Sequence, residues 1–325
     1  MIVARVRRTL RERALLEPGM RVLCACSGGP DSAAMLVALV RLAGELQLAL
    51  DAASVDHGLR AGAAADLEFA RTQAHQLGVP FHALKLQLQA GASLQARARE
   101  ARYAALTRLA VQLGASRIAV GHTLDDQAET VLMRILRGTG LDGVAGIQPL
   151  RTDGVMRPLI DCRRADARRF ALDCGLQLAD DPSNRDRRFE RVRARAEILP
   201  RLREENTQVD AHLAQLADEA RSAAQVLELA LLELSPRPDR AGLELDAASW
   251  LLRPSALRRR ALGLWAARHS GSEPGRAQLL QLEHALEHGG EVWLAQGWVA
   301  AGPGGGRLRM RASDAASKNS ENSGV

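Results

Sequence analysis

The sequence predicts an α/β fold: a doubly wound, mainly parallel sheet, followed by a helical linker and a smaller C-terminal domain. Three observations predict it. From Met20 to about Gly121 short apolar runs alternate with segments of helical period, the mark of βαβ units. The first apolar run ends in the turn "SGGPDS" at residues 27–32, which opens directly into a helical pattern. Beyond Arg157 the alternation gives way to charged, helical sequence.

The elements follow in order. Val3, Val6, Leu10 and Leu15 mark one face of a short helix that Pro18-Gly19 ends, since proline and glycine interrupt helices. Residues 21–26 read as a first strand, 31–46 as a helix and 50–55 as a second strand. A helix over 63–77, an alternating strand over 81–88 and a helix over 95–113 come next. A fourth strand at 117–120 leads into a helix over about 125–136. Ligands of such sheets bind at the carboxyl ends of the strands. Residues 206–234 carry Val209, Leu213, Leu216, Val226, Leu227 and Leu231 at helical spacing, and "LSPRPDRAG" then breaks the chain. Helices near 254–269 and 275–288 follow, with strand-like "EVWLA" and "RLRMR". The final residues are polar and read as a disordered tail. The expected domains are therefore 1–205, a linker at 206–245, a small domain at 246–311 and a tail at 312–325. There is no internal repeat.

Composition narrows the function classes. The 325 residues are 46% hydrophobic and 25% charged, ordinary for a chain with a real core. The longest uncharged apolar stretch, Ala33–Val40, is far short of the roughly 20 residues a membrane span needs. The N-terminus is charged every few residues and lacks a signal-peptide core, so a cytoplasmic protein without a membrane partner is expected. Cys24, Cys26, Cys162 and Cys174 form no CxxC pair, and the first two suit a buried strand better than zinc. The net charge is +6, and arginine carries nearly all the positive charge, Lys85 and Lys318 being the only lysines. A guanidinium suits phosphate and carboxylate recognition. The oligomeric state, a homodimer included, stays open.

In the glycine turn, Gly28 and Gly29 let a ligand approach the backbone, and Pro30 suits a first helical position. Free N–H groups and the helix dipole there make an anion site shaped for pyrophosphate. No lysine is present, so this is not a Walker A loop. Asp31 beside a phosphate calls for Mg²⁺ between them. An ordinary capped strand-to-helix turn accounts for the same letters. "GHTLDDQAET", residues 121–130, groups Asp125, Asp126 and Glu129 within one helical turn, with Asp126 and Glu129 on one face. Capping alone explains carboxylates there; holding Mg²⁺ or an incoming ammonium group is the second reading. Arg99 and Arg102 share a face of their helix, which an exposed salt-bridged surface would also explain. Asp56 and His57, in "VDHGLR", end the second strand where an adenosine could lie. Between Arg185 and Arg203 stand eight arginines against three acids. Arg191 and Arg195 in that tract have the spacing to track phosphates of a nucleic acid.

SGGxDS after a strand resembles the PP-loop of ATP pyrophosphatases, adenine nucleotide alpha hydrolase-like enzymes that split ATP between its α and β phosphates. The resemblance implies that Ser27, Gly28, Gly29, Pro30, Asp31 and Ser32 bind ATP, with Asp56 and His57 at the adenosine. The ordered series SGGPDS, VDHGLR, ARxxRY, HxxDDQAET, RGxG, RPL, DPSN and RxRxRxEILP closely resembles tRNA(Ile)-lysidine synthases over about the first 200 residues. That family adenylates C2 of the wobble cytidine of the CAU-anticodon isoleucine tRNA, and free L-lysine then displaces AMP. By this resemblance Asp126 and Glu129 position and activate lysine, Asp31 is the Mg²⁺ ligand, and Arg99 and Arg102 stabilise phosphate charge or grip the tRNA. Arg137, Arg191, Arg193 and Arg195 would contact the tRNA backbone. The chain departs from the family pattern at Val192, Ala194 and Ala196, which replace an asparagine, an isoleucine and a histidine, and at Gly121. A PP-loop tRNA thiolase is the nearest rival and needs catalytic cysteines or an iron–sulfur cluster near the loop. An amide-forming ligase would not need the basic tract, and a non-catalytic RNA-binding module would not need Asp31, Asp126 and Glu129 together.

Overall fold

The computed structural model describes residues 1–56, 63–86, 94–179, 190–233, 237–238 and 244–312. The chain divides into two compact units, Met1–Arg221 and Ser222–Val325. The first holds β1 (Arg21–Ala25), β2 (Ala49–Asp56), β3 (Phe81–Lys85), β4 (Arg117–Ala119) and β5 (Val155–Met156) in one sheet of order β3-β2-β1-β4-β5. All four pairings are parallel. The doubly wound α/β class is therefore the one observed, and the order reverses between β1 and β4, where such sheets bind ligands.

The alternation of β1 explains the two cores. Val22 and Cys24 face one layer with α1 (Ile2–Glu12) and α2 (Pro30–Leu46), while Leu23 faces the other with Leu106, Leu109 and Ile118; successive strand residues point to opposite faces. α2 is apolar along most of its length, and Ala33 through Leu39 are all buried. The remaining helices of this unit are α3 (Ala63–Gln76), α4 (Leu94–Leu113), α5 (Leu124–Leu136), α6 (Leu141–Val144), α7 (Arg164–Asp173), α8 (Glu190–Arg193) and α9 (Leu199–Glu205). Between α8 and α9 the chain runs through a π-helical turn, Ala194–Ile198.

The periodicity marked β1 to β4 and α2 to α5 but not β5, whose two residues are too short to show a period. The third strand ends at Lys85, with Leu86 already outside it; residues 87–88 of the expected strand lie outside the described residues. α10 (Val209–Glu233) is one continuous helix, and the division between the units falls inside it.

The second unit is an antiparallel sheet of order β6-β7-β10-β9-β8, made of β6 (Arg237–Pro238), β7 (Glu244–Asp246), β8 (Gly290–Trp293), β9 (Trp298–Gly304) and β10 (Arg307–Ala312). Its core joins Trp250, Leu308 and Met310 to α11 (Ser255–Ser270) and α12 (Arg276–His288) through Leu262, Trp265, Leu282 and Leu286. Residues 313–325, part of the expected tail, lie outside the described residues. No helix among the described residues is long and apolar enough to cross a membrane.

Candidate active site

β1 carries the chain to Ser27 at the carboxyl edge of the sheet. Gly28 has φ +76°, and a Cβ there would stand 2.7 Å from the Asp66 carbonyl oxygen and 2.9 Å from Phe69 Cβ. Its own carbonyl accepts from Gln73 Nε2 at 2.8 Å and from the Ala179 amide at 3.0 Å. Only glycine fits this close approach in that backbone region. Ser32 Oγ accepts from the Ser27 amide at 3.1 Å and donates to the Gly29 carbonyl at 3.0 Å, closing the loop on itself. Gly29 caps α2, Pro30 opens it, and no side chain caps its N-terminus. First-turn amides and the dipole's positive end therefore face the sheet edge, the arrangement that attracts phosphate.

Asp31, in that first turn, is partly buried, and its Oδ1 has no hydrogen-bond partner among the described residues. Burial pushes its carboxyl up to about 7, against the pull of Arg164 and with a further push from Asp126. Gly121, two residues past β4, lies directly against this turn: a Cβ there would stand 2.9 Å from Asp31 C and from the Ser32 nitrogen. The departure from the family pattern at Gly121 thus sits at a close approach of two backbones.

Across from the loop, α5 begins at Thr123. Asp126 divides its two oxygens between two jobs. Oδ2 accepts from the Thr123 amide and hydroxyl, both at 2.8 Å, completing a capping box. Oδ1 accepts from Arg164 Nη2 and Arg191 Nη2, again both at 2.8 Å. Capping therefore occupies Oδ2, while Oδ1 holds guanidiniums rather than Mg²⁺ or an ammonium group. Glu129, fully buried, lies under three guanidiniums: Arg164 Nη1 at 2.9 Å, Arg191 Nε at 2.8 Å and Arg195 Nε at 2.7 Å. Burial alone would raise both carboxyls. The arginines outweigh it, holding Asp126 down at about 2 and Glu129 below its ordinary range. Arg164 also approaches Asp31 Oδ2 at 3.6 Å, and its amide donates to Asp125 Oδ2 at 2.8 Å.

Beside this cluster opens a cavity of about 510 Å³ with six arginines in its wall, Arg99, Arg134, Arg137, Arg151, Arg157 and Arg191, together with His122. Arg99 and Arg151 both stack on Tyr103, at 5.2 Å and 5.0 Å from the ring centre.

A model of the PP-loop domain family matches residues 3–202. A tRNA(Ile)-lysidine synthase of Symbiobacterium thermophilum is 40% identical over 90% of this chain and 65% of its own. Those of Nocardia farcinica and Salinispora arenicola are 37% and 38% identical, covering 90% and 95% of this chain and 88% and 94% of theirs. The chain belongs to the tRNA(Ile)-lysidine synthase family. It spans less than two thirds of the length of the Symbiobacterium relative and nearly all of the other two. A solved U34-tRNA thiolase, NcsA from Methanococcus maripaludis with its 4Fe-4S cluster, superposes with a TM-score of 0.58 at 20% identity, covering 67% of this chain and 77% of that one. That likeness is one of fold.

Within this lysidine synthase family member, Ser27 to Ser32, Asp126 and Glu129 converge on the carboxyl edge of the sheet, with Asp56 at the end of β2. His57 lies outside the described residues, as do residues 181–184 of the DPSN stretch. Arg99 lines the cavity, and Arg102 is exposed on the same helix. Arg137 lines the cavity and pairs with Glu190, and Arg193 is exposed. Arg191 and Arg195 turn toward Asp126 and Glu129. Sequence reasoning missed Arg164, the residue that touches Asp31, Asp126 and Glu129 together. It stands among other arginines in "DCRRADARR", and its only sequence signal is its place at the start of a helix. Cys24 and Cys26 are buried in or beside β1, and burial raises both thiols, Cys26 to about 12.

Proposed function

We propose that this chain joins free L-lysine to C2 of the wobble cytidine of the CAU-anticodon isoleucine tRNA. ATP first adenylates the C2 oxygen with release of pyrophosphate, and the lysine ε-amino group then displaces AMP. The observation that carries this reading is the pairing of an uncapped helix start and an orphaned Asp31 oxygen with the buried carboxylates Asp126 and Glu129 across Arg164. PP-loop membership supports ATP binding at Ser27–Ser32. A loop closed by Ser32 rather than by a lysine leaves its charge neutralisation to backbone amides and a cation.

Asp31 fits Mg²⁺: it offers a bare, hard oxygen in the first turn, and phosphate oxygens and water would complete the shell. When bound, Mg²⁺ would offset charge on the phosphates. Asp126 and Glu129 are kept ionised and would hold the lysine ammonium. Arg191 and Arg195 fill that position with guanidiniums, so lysine enters as they leave for tRNA phosphates, while Arg164 stays to keep the carboxylates apart. Arg99 and Arg137 of the cavity wall would receive the anticodon backbone, joined by the exposed Arg102 and Arg193. The small domain at 246–311 would add tRNA contacts. Sulfur transfer finds no support at Cys24 and Cys26, whose thiols stay protonated.

The test is incorporation of labelled lysine into unmodified CAU-anticodon isoleucine tRNA with ATP and Mg²⁺. Label on the wobble cytidine, absent with an elongator methionine tRNA, is the expected result. ATP binding without label would overturn the reading.

A further inference from the structure

Arg157 and His122 form a pair that the proposed chemistry does not use. Arg157 follows β5, is 3% exposed, and its guanidinium is pinned by the Gln148 and Val155 carbonyls, both of which accept from Nη1. Its Nε donates to His122 Nδ1 at 3.3 Å. An arginine nitrogen is always a donor, so Nδ1 must accept and the ring proton must sit on Nε2. The His122 amide donates to the Val120 carbonyl at 3.0 Å, fixing the backbone just past β4. Both side chains line the arginine-walled cavity, and no described residue hydrogen-bonds to Nε2.

We propose that Arg157 is a positioning residue that fixes His122 as its Nε2–H tautomer, and that this N–H donates to an oxygen of the nucleotide entering the cavity. The identity of that nucleotide rests on the proposed function; the tautomer does not. The charged groups facing the ring are Asp126, Arg99, Arg157 and Arg191. Burial, helped by the three arginines, pushes the imidazole down to about 4 against the pull of Asp126, so the ring stays neutral. Six guanidiniums supply permanently charged donors to the cavity. A neutral, fixed N–H supplies direction without a proton that titrates near neutrality.

The experiment uses the full chain. A Gln side chain can place an N–H near Nε2, and an Asn side chain near Nδ1. His122→Gln is therefore expected to keep kcat for lysine incorporation within about 10-fold of the parent, and His122→Asn and His122→Ala to lose about 100-fold or more. Nitrogen-15 histidine spectra should show His122 protonated on Nε2 and bare on Nδ1 throughout roughly pH 6 to 8. Arg157→Gln should mix the tautomers. Equal activity of the Gln and Asn variants, or a wild-type ring protonated on Nδ1, would overturn the proposal. The expected tautomer in a parent protein that incorporates no lysine would sink the functional reading while leaving the Arg157–His122 assignment standing.

Discussion

At the scale of single residues, Asp31 and Glu129 are opposite cases of one balance. Asp31 is buried with too little compensation and is held up at about 7, where the ordinary value is 3.8. Because its folded value lies above its unfolded one, the stability it contributes is complete below about 3.8 and is lost as pH rises through about 7. The ligand-free protein should therefore lose stability between pH 4 and pH 8 by a component that Asp31→Asn removes, as thermal denaturation across that range would reveal. The same titration sets Mg²⁺ affinity, so ATP–pyrophosphate exchange should climb through about pH 7, and Asp31→Ala should abolish it with the fold intact. Normal pyrophosphate release in that variant would remove Asp31 from the mechanism. Glu129 is buried with ample compensation and held low. Its contribution is present above the ordinary 4.5 and lost as pH falls through the folded value. Glu129→Gln leaves three guanidiniums facing a neutral amide, at a cost of about 3 kcal/mol. Adenylation should survive and lysine transfer should slow; equal loss of both steps would refute its assignment to lysine.

At the scale of elements, the strand, loop and first helix were legible because each requirement there is local. An apolar run, two glycines and a proline at the first helical position leave one arrangement, and β1, Gly28 and Pro30 take it. Gly28→Ala should cost at least about 2 kcal/mol, combining a strained left-handed backbone with a clash against a carbonyl oxygen. Urea denaturation would measure it, and unchanged stability would mean the loop re-forms elsewhere. The partners of the carboxylates were not legible, because they are tertiary. Spacing put Arg191 and Arg195 on one face, but spacing is silent on whether that face meets a phosphate or Glu129. Arg164 reaches the site from α7, more than thirty residues along from Glu129, and no pattern in its neighbourhood separates it from Arg163 or Arg168. β5 escaped for a different reason: Val155 and Met156 are too few to show alternation, and pairing with β4 alone makes them a strand.

At the scale of the whole molecule, a chain of net charge +6 covers its proposed lysine site, Asp126 and Glu129, with its own arginines. The arginines of α8 and the π-helical turn pair with the carboxylates of α5, and under the proposed function the phosphates of tRNA would compete for them. A π-helical turn is a rare form often found at functional sites, and Arg195 stands in it. If tRNA takes the guanidiniums, the carboxylates are left with Arg164 and accept an ammonium. Linkage then requires lysine to tighten tRNA binding by the same factor that tRNA tightens lysine binding. Calorimetry should show lysine binding about 5- to 150-fold tighter to the tRNA complex than to the free protein. Raised salt should weaken tRNA affinity along a linear log–log slope, and with it the lysine site. The double variant Arg191→Ala with Arg195→Ala should bind lysine without tRNA while losing tRNA affinity. Equal lysine affinity with and without tRNA in the parent protein would mean that the two arginines belong permanently to Asp126 and Glu129, and that lysine binds elsewhere.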